Sequence, residues 1–344
     1  MDVTQIPRLL VDLLVYLFQV IPPFLPTILV LTTPIALGAM CGVLCERSGV
    51  VNIGIEGIML MAAFFAYLTG FALHQSIGAL PALVIGVVVG VVVGVLMGSI
   101  HAWLSISVRT DQIISGVFLN VLALGLTAYL NRLIITPSGR GGAGQLPKFR
   151  LPNEIGDIPV LGAILEMFLN QGPIAMSLIV IVVGLQILLF RSRWGLRTRS
   201  VGEHPKAADT VGINVIRLRY RNVILGCAMA GLAGAFLTLE TNGTFQNGMT
   251  NGRGFIALAA VILGRWTPVG AFLGALLFGF ATGTQIMVGV APPPGDLGAI
   301  MRGIPTQFYA ALPFVLTIIV LAGVVGRSIA PASVGIPYEK EARA

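Results

Sequence analysis

Charge is scarce in this sequence. Only 10% of its 344 residues are Asp, Glu, Lys or Arg, where ordinary soluble domains carry about 25%. A soluble fold of this length needs a polar skin, and this composition cannot supply one. Lysine occurs three times, at 148, 206 and 340, and none follows the glycines of a G-x-x-x-x-G-K-[ST] phosphate loop. The three histidines, His74, His101 and His204, form no cluster, and neither H-E-x-x-H nor G-x-S-x-G occurs. A membrane-embedded hydrolase therefore has no visible machinery. Cysteine is equally sparse. Cys41 and Cys45 share one apolar run and Cys227 lies in another, with no Cys-x-x-Cys pair. That pattern suits small residues in packed helices and gives no expectation of a disulfide framework or a metal site. The N-terminus lacks a dense positive region and a small-residue cleavage site, so no cleaved signal peptide is expected.

What the sequence has in quantity is apolar surface. Hydrophobic residues make up 56% of the chain and the mean hydropathy is +0.92. The bilayer is the solvent that accepts such a surface. The net charge of +7 could suit nucleic acid, but the basic residues lie between apolar runs and not on one basic face, so no nucleic-acid partner is expected. About 20 apolar residues cross a bilayer. Stretches of that kind fall near 24–45, 50–73, 79–106, 112–136, 174–190, 221–240, 268–289 and 307–326. Two weaker stretches, 9–21 and 254–264, are short. The second suits a half-length or re-entrant piece, tolerated only where protein covers its backbone. The expected fold is an all-α polytopic bundle of about ten spans, eight at the fewest, forming a single transmembrane domain over residues 1–344.

Basic residues orient such a bundle. The connection 191–221 carries Arg191, Arg193, Arg197, Arg199, Lys206, Arg217, Arg219 and Arg221 against only Glu203 and Asp209. It is placed in the cytoplasm. Counting spans outward puts both termini inside and the 137–173 connection outside.

Glycine is abundant and ordered. Gly86, Gly90, Gly94 and Gly98 recur every four residues within one span, and Gly38/Gly42 and Gly270/Gly274 repeat the spacing. Lipid gives no hydrophobic drive for helix association, so small-xxx-small faces mark close helix packing. "NIGIEGIMLMAAF" and "GFIALAAVILG" are weakly alike, which hints at an internal repeat.

Polar groups inside the spans are the candidate functional residues. In "CERSGVVNIGIEGIMLMAAF", residues 45–64, Asn52 and Glu56 stand four apart and on a helix would share a face. A carboxylate near mid-bilayer costs about 2.5–3.5 kcal/mol on insertion scales, so Glu56 either faces a polar path, pins a helix junction, or sits hydrated near the interface. Asn120 and Gln285 are weaker candidates for the same path. In the basic connection, "RSVGEHPKAADTVGINVIR" reads as a short helix: Pro205 suits its first turn and Gly212 its end.

Residues 36–326 resemble the permease family of ABC importers for branched-chain amino acids, simple sugars and nucleosides. The segments "ERSGVVNIGIEGIML", "GRGFIALAAVILGRWTPVGAFLGALLFG" (252–279) and "ALPFVLTIIVLAG" (311–323) look like its nucleoside branch. The resemblance implies a transport subunit of a bacterial inner membrane, binding no cofactor itself. It implies a separate ABC ATPase that uses the ATP, a second homologous permease, a substrate-binding lipoprotein and a nucleoside substrate. It also implies that residues 203–212 form the helix seated on the ATPase, with Glu203, Lys206, Ala208, Asp209 and Gly212 in that contact. His204 stands where asparagine is expected, Phe314 where tyrosine is usual, and the Pro292–Pro294 run is unusual. Permeation of a simple sugar or other purine- or pentose-containing ligand is the alternative. An ion-coupled transporter would want several deep carboxylates or histidines, and only Glu56 qualifies.

Overall fold

A computed structural model of the chain describes residues 21–137, 141–152, 161–290, 295–305 and 329–339, with isolated positions at 11, 14, 158, 307–309, 311, 315 and 318. Among these residues the regular structure is helical. The helices are α1 (Ile21–Arg47), α2 (Ile55–Ile77), α3 (Ala79–Ala102), α4 (Gln112–Leu130), α5 (Leu161–Leu169) and α6 (Pro173–Arg191). They continue as α7 (Arg193–Glu203), α8 (Pro205–Thr210), α9 (Val215–Ala235), α10 (Arg253–Leu263), α11 (Pro268–Val290) and α12 (Gly295–Gly303). Wider, π-helical turns prolong α3 to Val108, α4 to Ile135 and α9 to Asn242. Seven helices among the described residues are long and apolar enough to cross a membrane, at 19 to 30 residues each. The expected stretches at 9–21 and 307–326 lie almost wholly outside the described residues.

The span expected at 221–240 begins earlier, at Val215. Asn214 caps it by accepting the Arg217 N–H at 2.9 Å, a polar side chain serving an orphan donor at a helix start. Arg217, Arg219 and Arg221 therefore ride on the helix and are not in a loop. Asp111 caps α4 in the same way, accepting from Ile113 and Ile114 at 2.8 and 3.1 Å.

The described chain divides into two compact units. The first comprises residues 1–32, 148–176 and 276–327. Within it the Gln171 amide donates to Pro26 O at 2.9 Å and Asn170 Oδ1 accepts from Leu151 N at 2.7 Å, tying an irregular segment to helix ends. The second unit, residues 33–147, 177–275 and 328–344, holds most of the core.

In the second unit α3 shows how sequence dictates packing. Leu80, Val84, Val88, Val92, Leu96 and Ile100 repeat every four residues and are 41–57% exposed. Gly86, Gly90, Gly94 and Gly98 repeat on the other side and are buried. One stripe is apolar and exposed, as a lipid-facing surface of a span would be, and the other lets two helices approach. A Cβ at Gly90 would meet Ala235 and Ala66 at 3.0 and 3.2 Å, so α9 and α2 both lie on this face. Gly231 of α9 is reciprocal, with Gly94 Cα 3.1 Å from where its own Cβ would stand.

The short helix α10 is covered on one side. Ala257 approaches Gly38 of α1, Val261 approaches Gly42, and Ala260 approaches Gly274 of α11. Ala257, Ala260 and Val261 are fully buried. This is the protein cover that a half-length membrane helix requires.

Candidate functional site

Residues 48–54 break the chain between α1 and α2. Gly49 takes φ +89°, and α2 does not begin until Ile55. Asn52 and Glu56 therefore do not share a helical face, and the expected pairing fails because Asn52 precedes the helix. A non-helical segment at membrane depth must find partners for its backbone. Gln112 Oε1 accepts from Val51 N at 2.7 Å, and a His101 ring nitrogen lies 2.9 Å from Val51 O. Asn120 donates to Ile53 O at 3.0 Å and accepts from Gly57 N at 2.7 Å. Asn52 accepts from Gly54 N at 3.0 Å. Four polar side chains, three from α3 and α4 and one from the break itself, thus stitch it.

The charged residues flanking that break hold α10 at both ends. Glu56 accepts from Gly252 N at 2.7 Å through one oxygen and from Gly254 N at 2.6 Å through the other. At the far end Arg47 donates to Trp266 O at 2.7 Å and Arg265 O at 3.1 Å. The Trp266 indole N–H donates to Glu46. An anion at a helix N-terminus suits the helix dipole, and Arg47 holds the turn that follows the end of α10. Arg265 and Trp266 both carry φ +53°, a tight reversal that hands the chain to α11. The motif's Glu46, Arg47 and Glu56 are thus a frame for α10. Sequence reading missed Arg47 and Glu46 in this role because their partners lie about 220 residues away.

Beside this frame lies a groove of about 360 Å³. Glu56, Asn120, Thr250 and Asn251 contribute its polar lining, and Leu60, Val121, Leu124 and Phe255 its apolar walls. Val121, Leu124 and Phe255 are exposed. The structure brings Glu56 and Asn120 together here and leaves the other two candidates elsewhere. Asn52 is fully buried and turns toward sulfur: its amide lies 3.3 Å from Cys227 Sγ, 3.8 Å from Cys41 Sγ and 3.9 Å from Cys45 Sγ. Gln285 lines a separate cavity of about 300 Å³ in the first unit, with Met301, Arg302 and Tyr309. The three thiols, which the sequence spacing did not assemble, lie within 4.8 Å of one another. They form a soft donor set capable of holding a metal ion.

The basic connection folds as two helices. Ser192 caps α7 by accepting from Gly195 N at 3.0 Å. Pro205 opens α8, and Gly212 follows it at φ +84°, a left-handed backbone that glycine adopts without strain. Lys206, Ala207, Thr210 and Gly212 are exposed and Asp209 is half-buried. Val211 is 76% exposed, a large apolar residue in water at the tip of this loop. Ala208, expected to face outward, is 3% exposed and packs inward with Val201, Val215 and Leu218. It was misplaced because on a six-residue helix only one residue per turn faces in, and adjacent Ala207 and Ala208 look alike in sequence. Glu203 is exposed, and its carboxylate accepts from Ala332 N at 3.1 Å.

The comparisons with known proteins agree with this architecture. The family described as branched-chain amino acid transport system, permease component, matches residues 24–326. The chain is 39% identical over 329 residues to the guanosine ABC transporter permease protein NupQ of Bacillus subtilis (strain 168), covering 94% of this chain and 99% of that one. It is 36% identical over 313 residues to the nucleoside ABC transporter permease protein NupC of Lactococcus lactis subsp. cremoris (strain MG1363), covering 91% and 95%. It is 33% identical over 308 residues to the putative glucose ABC transporter permease protein TsgC13 of Haloferax volcanii, covering 86% and 89%. Seven apolar spans among the described residues, a short framed helix and a match across nearly the whole chain place it: the protein belongs to the branched-chain amino acid transport system permease family and is a multi-pass membrane permease component of an ABC transporter.

Proposed function

We propose that this permease imports nucleosides across a bacterial inner membrane, driven by ATP hydrolysed on a separate ATPase chain. The near full-length similarity to NupQ and NupC carries the reading. The groove supports it chemically. A nucleoside offers a flat base and a hydroxylated ring. Phe255, Val121 and Leu124 offer apolar surface for the base, and Asn251, Thr250 and the Glu56 carboxylate offer polar groups for the sugar. The volume falls within the range of small-molecule sites. The groove is open along its apolar wall, and a second homologous permease is assigned to close it. A binding lipoprotein delivers substrate from outside, and alternating access moves it inward.

The similarity to TsgC13 favours a second reading, a sugar substrate. A hexose has no base, so the exposed Phe255 would lack its stacking partner.

Energy reaches a permease of this kind through a cytoplasmic surface. Lys206, Ala207 and Thr210 on α8, with Val211 just after it, form the surface assigned to the ATPase, because exposed Val211 gains most by being covered. Both termini are assigned to the same side. The native cysteines are buried, so a single Val211→Cys variant is a clean reporter. An impermeant maleimide is expected to label it in inside-out vesicles and not in right-side-out ones, and ATPase bound beforehand is expected to protect it. Labelling from outside, or no protection, refutes the orientation or the docking surface respectively.

A further inference from the structure

A six-residue helix is too short to hold its shape alone. For α8 to pass on a push from the ATPase, something must fix its base. Its buried side faces a small apolar cluster of Val201, Ala208, Val215, Leu218 and Tyr338. The first four come from α7, α8 and α9. Tyr338 comes from the C-terminal segment, more than a hundred residues further along the chain, and is itself buried.

The same segment is tied to the helices around it. Ser333 N donates to Gly202 O at 2.9 Å, and Ser333 Oγ donates to the same carbonyl at 2.6 Å. Ala332 N donates to the Glu203 carboxylate at 3.1 Å. These bonds fix the segment to the end of α7, where α8 begins. Arg219 of α9, only 1% exposed, sends one guanidinium nitrogen to Ile336 O at 3.0 Å and another to Ser333 Oγ at 3.4 Å. A buried guanidinium needs such acceptors, because unpaired charge out of water is costly. Gly335 N donates to Gly49 O at 3.3 Å, just beyond α1. Glu339 pairs with Arg109 at 2.8 Å, between α3 and α4.

We infer that residues 331–339 are a positioning strap, which supplies the floor of α8 and ties it to the cytoplasmic ends of α1, α3 and α9. The inference rests on the reading of α8 as the ATPase contact. The strap moves with the loop: a displacement of α8 passes through Tyr338, Ser333 and Arg219 into α9, and through Gly335 into the break after α1. That break leads straight to Glu56 and the frame of α10. The strap thereby joins the docking surface to the groove through hydrogen-bonded residues and the chain from Gly49 to Glu56, a contiguous network of the kind that can carry coupling.

The test uses the full complex of permeases, ATPase and binding protein in proteoliposomes, and reads nucleoside uptake per ATP hydrolysed. Tyr338→Ala is expected to retain the ATPase and its hydrolysis while uptake per ATP falls about tenfold, within the usual range of coupling between sites. Tyr338→Phe keeps the ring in the cluster and is expected to restore the ratio, which a general loss of folding would not allow. Val211→Asp, on the outer face, is expected to lose the ATPase altogether. If Tyr338→Ala fails to assemble, Ser333→Ala decides, because it removes only the hydroxyl shared by Gly202 and Arg219. It is expected to lower the ratio about fivefold, the usual scale of one hydrogen bond. An unchanged ratio in Tyr338→Ala, or in Ser333→Ala where that variant decides, overturns the strap. If Val211→Asp keeps the ATPase, the docking reading fails and the strap falls with it.

Discussion

Replacing Gly94 by leucine is expected to prevent assembly of the permease. A Cβ at Gly94 would stand 2.5 Å from Cys227 O and 2.7 Å from Gly231 Cα. Those atoms are backbone and cannot swing aside as a side-chain end does. Relief requires α3 and α9 to separate along their whole contact. Overpacking a well-fitted core costs about 1–3 kcal/mol and sometimes more. Here the added atoms exceed a single methylene, and Gly90 and Gly98 on the same face are disturbed with it. Val92→Leu is the control, because Val92 is 48% exposed on the lipid-facing stripe. Monodisperse protein recovered after detergent extraction is the readout. Gly94→Leu is expected to fall at least several-fold, the change in abundance that even 1–2 kcal/mol brings about, and Val92→Leu to match the parent. Equal recovery of both would mean that the glycine stripe does not pack against α9.

Glu56→Ala is expected to abolish transport by releasing the start of α10. Two backbone donors, Gly252 N and Gly254 N, lose their acceptor. Hydrogen bonds to a charged group are worth about 1.5–3 kcal/mol each, and a buried donor left bare costs about 1–3 kcal/mol. Alanine also removes the anion from the helix N-terminus. Loss of about 3 kcal/mol would cut the ratio of correctly framed to unframed protein about a hundredfold, at about tenfold per 1.4 kcal/mol. Glu56→Gln keeps one acceptor oxygen and the side-chain length, so it is expected to retain more uptake than Glu56→Ala. Both variants should still insert, since Glu56 stands in the first turn of α2 and the apolar remainder of that span is unchanged. Radiolabelled nucleoside uptake at equal amounts of inserted protein separates the cases. Full activity in Glu56→Ala would show that α10 stands without its cap.

Local pattern made much of this legible in the sequence. The α3 glycine stripe follows from four-residue spacing alone, and Pro205 and Gly212 mark the ends of α8 because proline and glycine constrain the backbone directly. The short stretch at 254–264 was readable as a half-length helix from its length. What stayed hidden depends on contacts between distant residues. Arg219 looked like one more cytoplasmic charge, yet it is buried because residues 333 and 336 supply acceptors. Cys227 looked isolated, yet helix packing sets it beside Cys41 at 3.9 Å between sulfurs. Asn52 and Glu56 suited one helical face only while the break at Gly49 and Gly54 was unseen. Gln285 looked equivalent to Asn120, and only the fold assigns them to different units. In the motif around residue 46, the charges were visible and their purpose was not, since their partners at 252, 254, 265 and 266 lie far along the chain.

The most direct measurement is uptake of radiolabelled guanosine into proteoliposomes holding the two permeases and the ATPase, with binding protein added outside. The expected result is accumulation that needs ATP and loaded binding protein, is competed by other nucleosides, and is indifferent to excess glucose. Uptake driven by an ion gradient without ATP would contradict the ABC importer, and competition by glucose in place of nucleosides would contradict the substrate.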